Sequence, residues 1–66
     1  MSIAKIVELS ASSPDSFEDA IRQAIRRASE TLDNIRGAWV SEQKVVIEDN
    51  EIVEYRVDLK VTFELD

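Results

Sequence analysis

The stretch from Glu51 to Leu65 alternates between apolar and polar side chains. Its apolar positions are Val53, Tyr55, Val57, Leu59, Val61, Phe63 and Leu65. Its polar positions are Glu54, Arg56, Asp58, Lys60, Thr62 and Glu64, and Ile52 is the one exception. An apolar residue at every second position, mostly β-branched or aromatic, predicts a strand with one buried face.

A strand of this length would extend over roughly 50 Å. A compact monomer of 66 residues has a diameter of only roughly 30 Å. A chain this short is marginally stable alone. It contains no Cys and no His, which excludes disulfides and a Cys or His zinc site. We therefore expect oligomerisation to supply the missing stability.

Three further elements are predicted before this strand. Residues 3–9 form a first strand, residues 14–34 a helix, and residues 38–47 a second strand. Ser13 is expected to cap the helix, and Pro14 suits its first position because the missing N–H is not needed there. The apolar stripe of the helix, at three- and four-residue steps, comprises Phe17, Ala20, Ile21, Ala24, Ala28, Leu32 and Ile35, with Ile25 at its flank.

The connections are predicted from local signals. Gly37, the only glycine, is expected to close the joint between helix and strand. The alternation slips between Val40 and Val45, which predicts a bulge. Asp49 and Asn50 tolerate positive φ and suit a tight hairpin.

This order predicts an α+β fold: a β-α-β-β subunit with a three-stranded antiparallel sheet and one helix on one face. We expect a single domain over residues 1–66. The opposite face has no helix to cover it. By alternation from the core positions Ala38 and Val40, it carries Gly37 and Trp39, together with Arg56 of the last strand. A Trp on an uncovered face requires a partner, either another subunit or a flat ligand.

The net charge of the chain disfavours some classes of binding partner. Eight basic residues against 14 acidic ones give a net charge of -6, which argues against a nucleic acid or an anionic membrane as partner. The missing His and Cys are the commonest general base and soft nucleophile, so we expect no enzyme. A signal-peptide pattern and a long apolar run are absent from the sequence, and the expected location is cytoplasmic.

Two charged clusters allow two interpretations each. Arg22, Arg26 and Arg27 are best interpreted as a solvated helix face interspersed with acids, and an outer anion site is the alternative. The acidic turn at residues 48–51 is best interpreted as a solvated hairpin. The alternative, a cation site, is less favoured because the turn lacks the spaced ligands and glycine of a calcium loop.

Three segments carry a family resemblance: Ser12-Ser13-Pro14 before the helix, residues 24–34 at the helix end and the closing residues 61–65. In these segments and their order, the chain resembles the dodecin family. The resemblance covers essentially the whole chain. It implies a small β-α-β-β subunit in a hollow homododecamer that stores or sequesters a flavin, such as FMN or riboflavin, without catalytic turnover.

The resemblance also implies site residues. Flavin-binding dodecins resemble one another in a stacking Trp three residues after the Asn that ends the helix. That position is Gly37 here, and Trp39 follows two places later on the same face. The family's Gln at the polar edge of the flavin falls at Arg56. The implied ligand-binding residues are therefore Gly37, Trp39 and Arg56.

A second branch of the family implies an alternative. Its members also lack that Trp, carry Arg in place of the Gln, and in some cases bind calcium. In this alternative the chain forms a structural shell or holds calcium or another divalent cation. Trp39 would then be buried at a subunit contact, and Arg56 would join a salt-bridge network between subunits.

Overall fold

The central element of the sheet is the long C-terminal strand. The computed structural model describes residues 3–65. Its elements are β1 (Ile3–Ser13), α1 (Phe17–Ala28), β2 (Ile35–Glu48) and β3 (Glu51–Leu65). The strand order is β1-β3-β2, and both pairings are antiparallel. The predicted α+β fold, β-α-β-β with one helix, is confirmed. In residues 3–65 no helix is both long enough and apolar enough to span a membrane.

The core lies between α1 and the middle of β3. Val57, Leu59 and Val61 are at most 1% exposed. They face a row of buried alanines on the helix, namely Ala20, Ala24 and Ala28. Alanine at four-residue steps places small side chains on one face of the helix, so its backbone approaches the sheet closely. The core is therefore a narrow strip along the centre of the sheet.

The helix begins three residues later than the sequence predicts. Ser16 is its N-cap, and the Ser16 hydroxyl accepts a hydrogen bond from the Asp19 N–H at 2.9 Å. Ser13 is instead the buried last residue of β1, where its hydroxyl donates to Asp19 Oδ2 at 2.6 Å. The predictions of Ser13 as the cap and Pro14 as the first helical residue are wrong, because β1 continues further than residue 9.

The helix also ends earlier, at Ala28. The Ser29 hydroxyl donates to the Arg26 carbonyl at 2.7 Å, a local bond that competes with continued helix. The chain then turns through Asn34, whose φ of 59° lies in the left-handed region. Gly37 has no positive φ and lies inside β2. The prediction that Gly37 closes the joint is wrong, because the residue that adopts the left-handed conformation between helix and strand is Asn34.

The predicted bulge and hairpin are both confirmed. The register between β2 and β3 shifts between Val40 and Glu42. The residue in between, Ser41, donates its hydroxyl to the carbonyl of Asp58 at 3.1 Å. At the turn, Asp49 and Asn50 have φ values of 51° and 64°, as a two-residue hairpin with the twist of the strands requires.

The helix packs mainly on β1 and β3 and makes few contacts with β2. Its 12 residues extend about 18 Å, far less than the sheet. Ala38 and Val40, predicted core positions, are therefore exposed on the helix side of β2, and so is Val53 of β3. These apolar positions are buried only if another molecule covers them.

Beyond the end of β1, two strands continue alone. Ser13, the last residue of β1, pairs with Tyr55, and Tyr55 contacts Phe17 at the start of the helix with ring centroids 5.1 Å apart. We call the remaining two-stranded segment, residues 46–54, the hairpin arm. Its Ile47 and Ile52 are 59% and 52% exposed. The arm contributes to an elongated subunit of 51 × 20 × 13 Å.

Candidate functional site

The candidate site is the face of the sheet that points away from the helix, here called the open face. It presents the even-numbered side chains of β3 and the residues paired with them. Its members include Ile6, Glu8, Ser10 and Ser12 of β1, Glu54, Arg56, Asp58, Lys60 and Thr62 of β3, and Gly37, Trp39, Glu42 and Lys44 of β2. The three site residues predicted from the sequence, Gly37, Trp39 and Arg56, all lie on this face.

Trp39 is the largest apolar side chain of the open face. It is 47% exposed and pairs with Lys60, whose Nζ lies 5.8 Å from the centroid of the indole. A cation at this distance is attracted to the ring. Lys60 also lies 4.0 Å from Glu8 Oε1. The site therefore combines an accessible aromatic ring with an adjacent cation. Lys60 was not predicted as a site residue, because finding it requires the register between β2 and β3.

Gly37 leaves a gap beside Trp39. Thr62, its partner in β3, donates its hydroxyl to the Gly37 carbonyl at 2.9 Å. A Cβ on Gly37 would meet only the Thr62 Oγ1, at 3.5 Å, an ordinary contact. Because its φ is not positive either, the backbone does not require glycine here. The gap is thus open to a ligand or to a larger side chain.

Arg56 belongs to a second, charged part of the open face. It lines a concavity of about 150 Å³ together with Ser10, Glu42, Lys44, Val57 and Asp58. Lys44 is directly opposite Arg56 in the register, so two cations lie side by side at this point. Arg56 Nε is 3.2 Å from Glu54 Oε1. An anionic group of a ligand would find two donors here, one of them already paired.

The Glu54 carboxylate stays ionised in this setting. A hydrogen bond with Ser12, followed by the hydrogen bond and charge of Arg56, lowers the pKa of Glu54 from its ordinary value of 4.5. At neutral pH the pair is therefore a carboxylate and a guanidinium. This pair within one chain is already made before any second subunit approaches Arg56.

Trp39 and Arg56 lie apart on the face. Trp39 is opposite Lys60, and Arg56 is four positions along the same strand, a separation of about 13 Å. A ring stacked on Trp39 would therefore meet Lys60 before Arg56 of the same subunit. An extended ligand, or a second subunit, is needed to connect the two parts.

The described part of one subunit does not gather its carboxylates into a metal site. In residues 3–65, no group of three or more Asp, Glu, His or Cys side chains is arranged to hold an ion. On the helix surface, Arg22 pairs with Glu18 at 2.6 Å and Arg27 pairs with Glu30. This arrangement is the one expected of a solvated face interspersed with acids.

Known proteins share this architecture along its whole length. The family model described as Dodecin matches residues 3–66. The curated calcium dodecin of Mycobacterium tuberculosis is 35% identical over 65 residues, which are 98% of this chain and 92% of that protein. Dodecin from Streptomyces davaonensis has a TM-score of 0.92 at 34% identity, covering 98% of this chain and 96% of that chain. The crystal structure of the calcium dodecin, described with a novel calcium-binding site, has a TM-score of 0.84 at 33% identity and covers 97% of this chain and 91% of that chain.

Proposed function

The chain belongs to the dodecin family, and on that premise we propose that it is a non-catalytic protein that forms a hollow homododecamer. In this proposal the open face holds a small planar ligand of the flavin class. The observation that carries the ligand proposal is the half-exposed Trp39 beside Lys60. The proposed location is cytoplasmic, and the proposal requires no nucleic acid or membrane.

Exposed apolar surface supports the assembly. Among residues 3–65 of the single chain, eight large hydrophobic residues are exposed: Ile3, Ile6, Trp39, Val40, Ile47, Ile52, Val53 and Leu65. They are spread over both faces and both ends of the sheet. A soluble protein rarely leaves so much apolar surface in water. Identical copies would cover this surface, as would be expected for a chain too small for a large core of its own.

The open face supports a stacking mechanism. A flat ring would lie against the indole of Trp39, and the gap at Gly37 would accommodate the edge of that ring. Lys60 would balance negative charge on the ring, and Arg56 with Lys44 would hold an anionic tail that reaches the concavity. A ligand that binds only the assembled form would also stabilise the assembly by mass action.

A fluorescence titration tests the proposal. We expect the purified protein to quench riboflavin or FMN fluorescence to a fixed stoichiometry, after light scattering has confirmed its mass. Twelve subunits of 7.5 kDa give about 90 kDa. Trp39→Ala should retain that mass and lose the quenching. Ile6→Ala, which removes another exposed apolar side chain from the same face, is the matched control and should quench normally.

Three results would count against the proposal. An assembly of about 90 kDa without quenching would reject the flavin ligand and leave the shell. A Trp39→Ala variant that dissociates would identify Trp39 as a subunit contact. A wild-type protein that remains a 7.5 kDa monomer would reject the assembly itself.

Calcium is the second candidate ligand, because a relative 35% identical over 65 residues is a calcium dodecin. Within residues 3–65 of one subunit, no three carboxylates are arranged to hold an ion, so the ion would be held by carboxylates from several subunits around a symmetry axis. Calorimetric titration of chelator-treated protein with calcium should then give saturable heat, and magnesium, the control ion, should not compete. A titration without heat would reject this candidate.

A further inference from the structure

Three side chains form a row across the open face, one from each strand. Lys60 of β3 pairs with Trp39 of β2 on one side and with Glu8 of β1 on the other. The Lys60 Nζ lies 5.8 Å from the centroid of the indole and 4.0 Å from Glu8 Oε1. The ammonium group therefore has two partners, an aromatic ring and a carboxylate, and both attract it.

The contact between Lys60 and Glu8 is weak. The side chain of Glu8 is 76% exposed and that of Lys60 is 38% exposed. An ion pair at the 4.0 Å limit between exposed groups contributes little, because water and salt screen it. The ammonium group is therefore available to a ligand that lies on the indole of Trp39, although Glu8 competes for it.

The neighbouring row on the side of Gly37 carries no charge. It consists of Ile6, Thr62 and Gly37. A ring that stacks on Trp39 with its edge in the gap at Gly37 would cover this row. The charged group beside such a ring would be the ammonium of Lys60, which is paired in register with Trp39.

The row on the other side of Lys60 is acidic. It contains Asp58, which pairs with Glu42 in the register of β2 and β3. Asp58 is two positions from Lys60 along β3, a separation of about 6.6 Å, on the side away from the gap at Gly37. A ring displaced towards the gap is therefore influenced more by Lys60 than by these carboxylates, because an electrostatic interaction weakens with distance and with screening by salt.

We propose that Lys60 makes the open face selective for planar ligands whose ring carries a negative charge, and that Glu8 limits this selectivity. The inference rests on the proposed ligand site and adds the charge that its occupant should have. A unit charge about 6 Å from an opposite one increases an affinity roughly threefold in water, and more where the ring excludes water. Because a cationic ring is disfavoured by the same amount, the affinities for an anionic and a cationic ring should differ roughly tenfold.

Two probes that share one tricyclic ring test this selectivity. Acridine-9-carboxylate is an anion at mildly alkaline pH, and 9-aminoacridine is a cation. Trp39 is the only Trp of the chain, so quenching of the protein's Trp fluorescence reports a ring stacked on it. We expect the assembled protein to bind the anionic probe roughly tenfold more tightly than the cationic one.

Substitutions assign the selectivity to the row. Lys60→Met removes the charge and should bring the ratio of the two affinities close to one, whereas Lys60→Arg should retain the preference for the anion and Lys60→Glu should invert it. Glu8→Gln should increase the ratio, because it removes the competing carboxylate. Lys44→Met, which removes a cation of the same face outside the row, is the matched control and should leave the ratio unchanged. Light scattering confirms that each variant is assembled.

Ionic strength gives a second test that needs no substitution. The ratio of the two affinities in the wild-type protein should fall towards one as salt is added, because salt screens the charge of Lys60. Stacking on Trp39 alone would give a ratio that does not change with salt, and that result would contradict selection by charge.

A parallel titration with riboflavin separates this inference from the proposed function. Riboflavin binding together with equal affinities for the two probes would overturn the charge selection and leave the ligand site. An unchanged ratio in an assembled Lys60→Met variant would also overturn it. Tight binding of the anionic probe without riboflavin binding would support the charge selection and reject the flavin class. A wild-type protein that binds none of the three rings would overturn both.

Discussion

Gly37 lies two positions before Trp39 on the same face of β2, and its φ does not require glycine. The family resemblance implies a stacking Trp at this position in flavin-binding members, so Trp39 of this chain would stack from a different position along the strand. Two residues along a strand correspond to about 6.6 Å. A ring stacked on Trp39 would thus be displaced by that distance from its position in those relatives.

We predict that Gly37→Trp increases the affinity for riboflavin, because a second indole would fill the gap and enlarge the stacking surface. The Cβ is tolerated, since its nearest neighbour is the Thr62 Oγ1 at 3.5 Å. Fluorescence quenching measures the affinity. Gly37→Ala is the control and should leave it nearly unchanged. Equal affinities of the Trp and Ala variants would contradict the prediction.

A second residue-scale prediction concerns Ser13 and Asp19. The Ser13 hydroxyl and, to a lesser extent, the Gln23 amide lower the pKa of Asp19 from its ordinary value of 3.8. A carboxyl whose pKa is lowered by folding stabilises the folded state above its unfolded pKa, and this contribution is lost as the pH falls through the folded pKa. Ser13→Ala should therefore raise the pKa of Asp19, as measured by NMR titration.

The same substitution should destabilise the protein most above pH about 4. The loss should diminish as the pH falls through the lowered pKa of Asp19, below which the carboxyl is protonated in both variants. Gln23→Ala is the comparison and should raise the pKa of Asp19 by a smaller amount. An unchanged pKa in Ser13→Ala would mean that the hydrogen bond between the hydroxyl and Asp19 is not formed in solution.

At the scale of elements, β3 could be predicted well from the sequence. Its bounds, Glu51 and Leu65, are those of the alternating pattern, because a central strand with one buried face retains strict alternation. The bulge in β2 was predicted from the broken alternation, and the hairpin from Asp49 and Asn50. These features depend on residues that are close together in the sequence, so a single sequence is sufficient to predict them.

The helix bounds could not be predicted as well. The apolar stripe continues past Ala28 through Leu32 and Ile35, although the helix has ended. Ile35 packs against the core after the chain turns at Asn34, and Leu32, before that turn, is half-buried. Periodicity alone does not distinguish a longer helix from a turn that keeps the same apolar side inward.

The candidate site was predicted only in part. Trp39, Gly37 and Arg56 were placed on the correct face by alternation. The pairing of Trp39 with Lys60 and of Lys44 with Arg56 depends on the register, and the register depends on the bulge. Sequence reasoning therefore identified the face but not the neighbours of each residue on it.

Leu59 lies in the core strip between the helix and the middle of β3. Leu59→Ala should lower the free energy of unfolding by about 2–5 kcal/mol, because it removes a fully buried side chain and leaves a cavity. Leu65→Ala, at the exposed end of the same strand face, is the matched control and should cost much less. Denaturant unfolding measures both. Similar losses at the two positions would indicate that Leu65 is buried in the assembly.

At the scale of the whole molecule, the subunit is extended for its length. Its radius of gyration is 13.6 Å, whereas about 11 Å is expected for a compact chain of this size. The excess comes from the sheet, which extends beyond a helix of about 18 Å. A subunit of this shape exposes apolar residues that a compact one would bury, and its folded state should depend on assembly.

We therefore predict that the thermal unfolding midpoint rises with protein concentration, because mass action favours the folded subunit when folding and association are coupled. Differential scanning calorimetry over a hundredfold range of concentration measures this. A midpoint independent of concentration would contradict the coupling.

The bulge at Ser41 has a practical consequence for redesign of the ligand surface. Before it, the odd positions 37 and 39 lie on the open face, and after it the even positions 42 and 44 do. A mutant library that followed simple alternation from Trp39 would vary Ser41 and Gln43. Gln43 pairs with Val57 on the helix side of the sheet, so half of that library would alter packing instead of recognition. Engineered selectivity is better sought at positions 37, 39, 42 and 44 together, with Ser41 left unchanged to keep them on one surface.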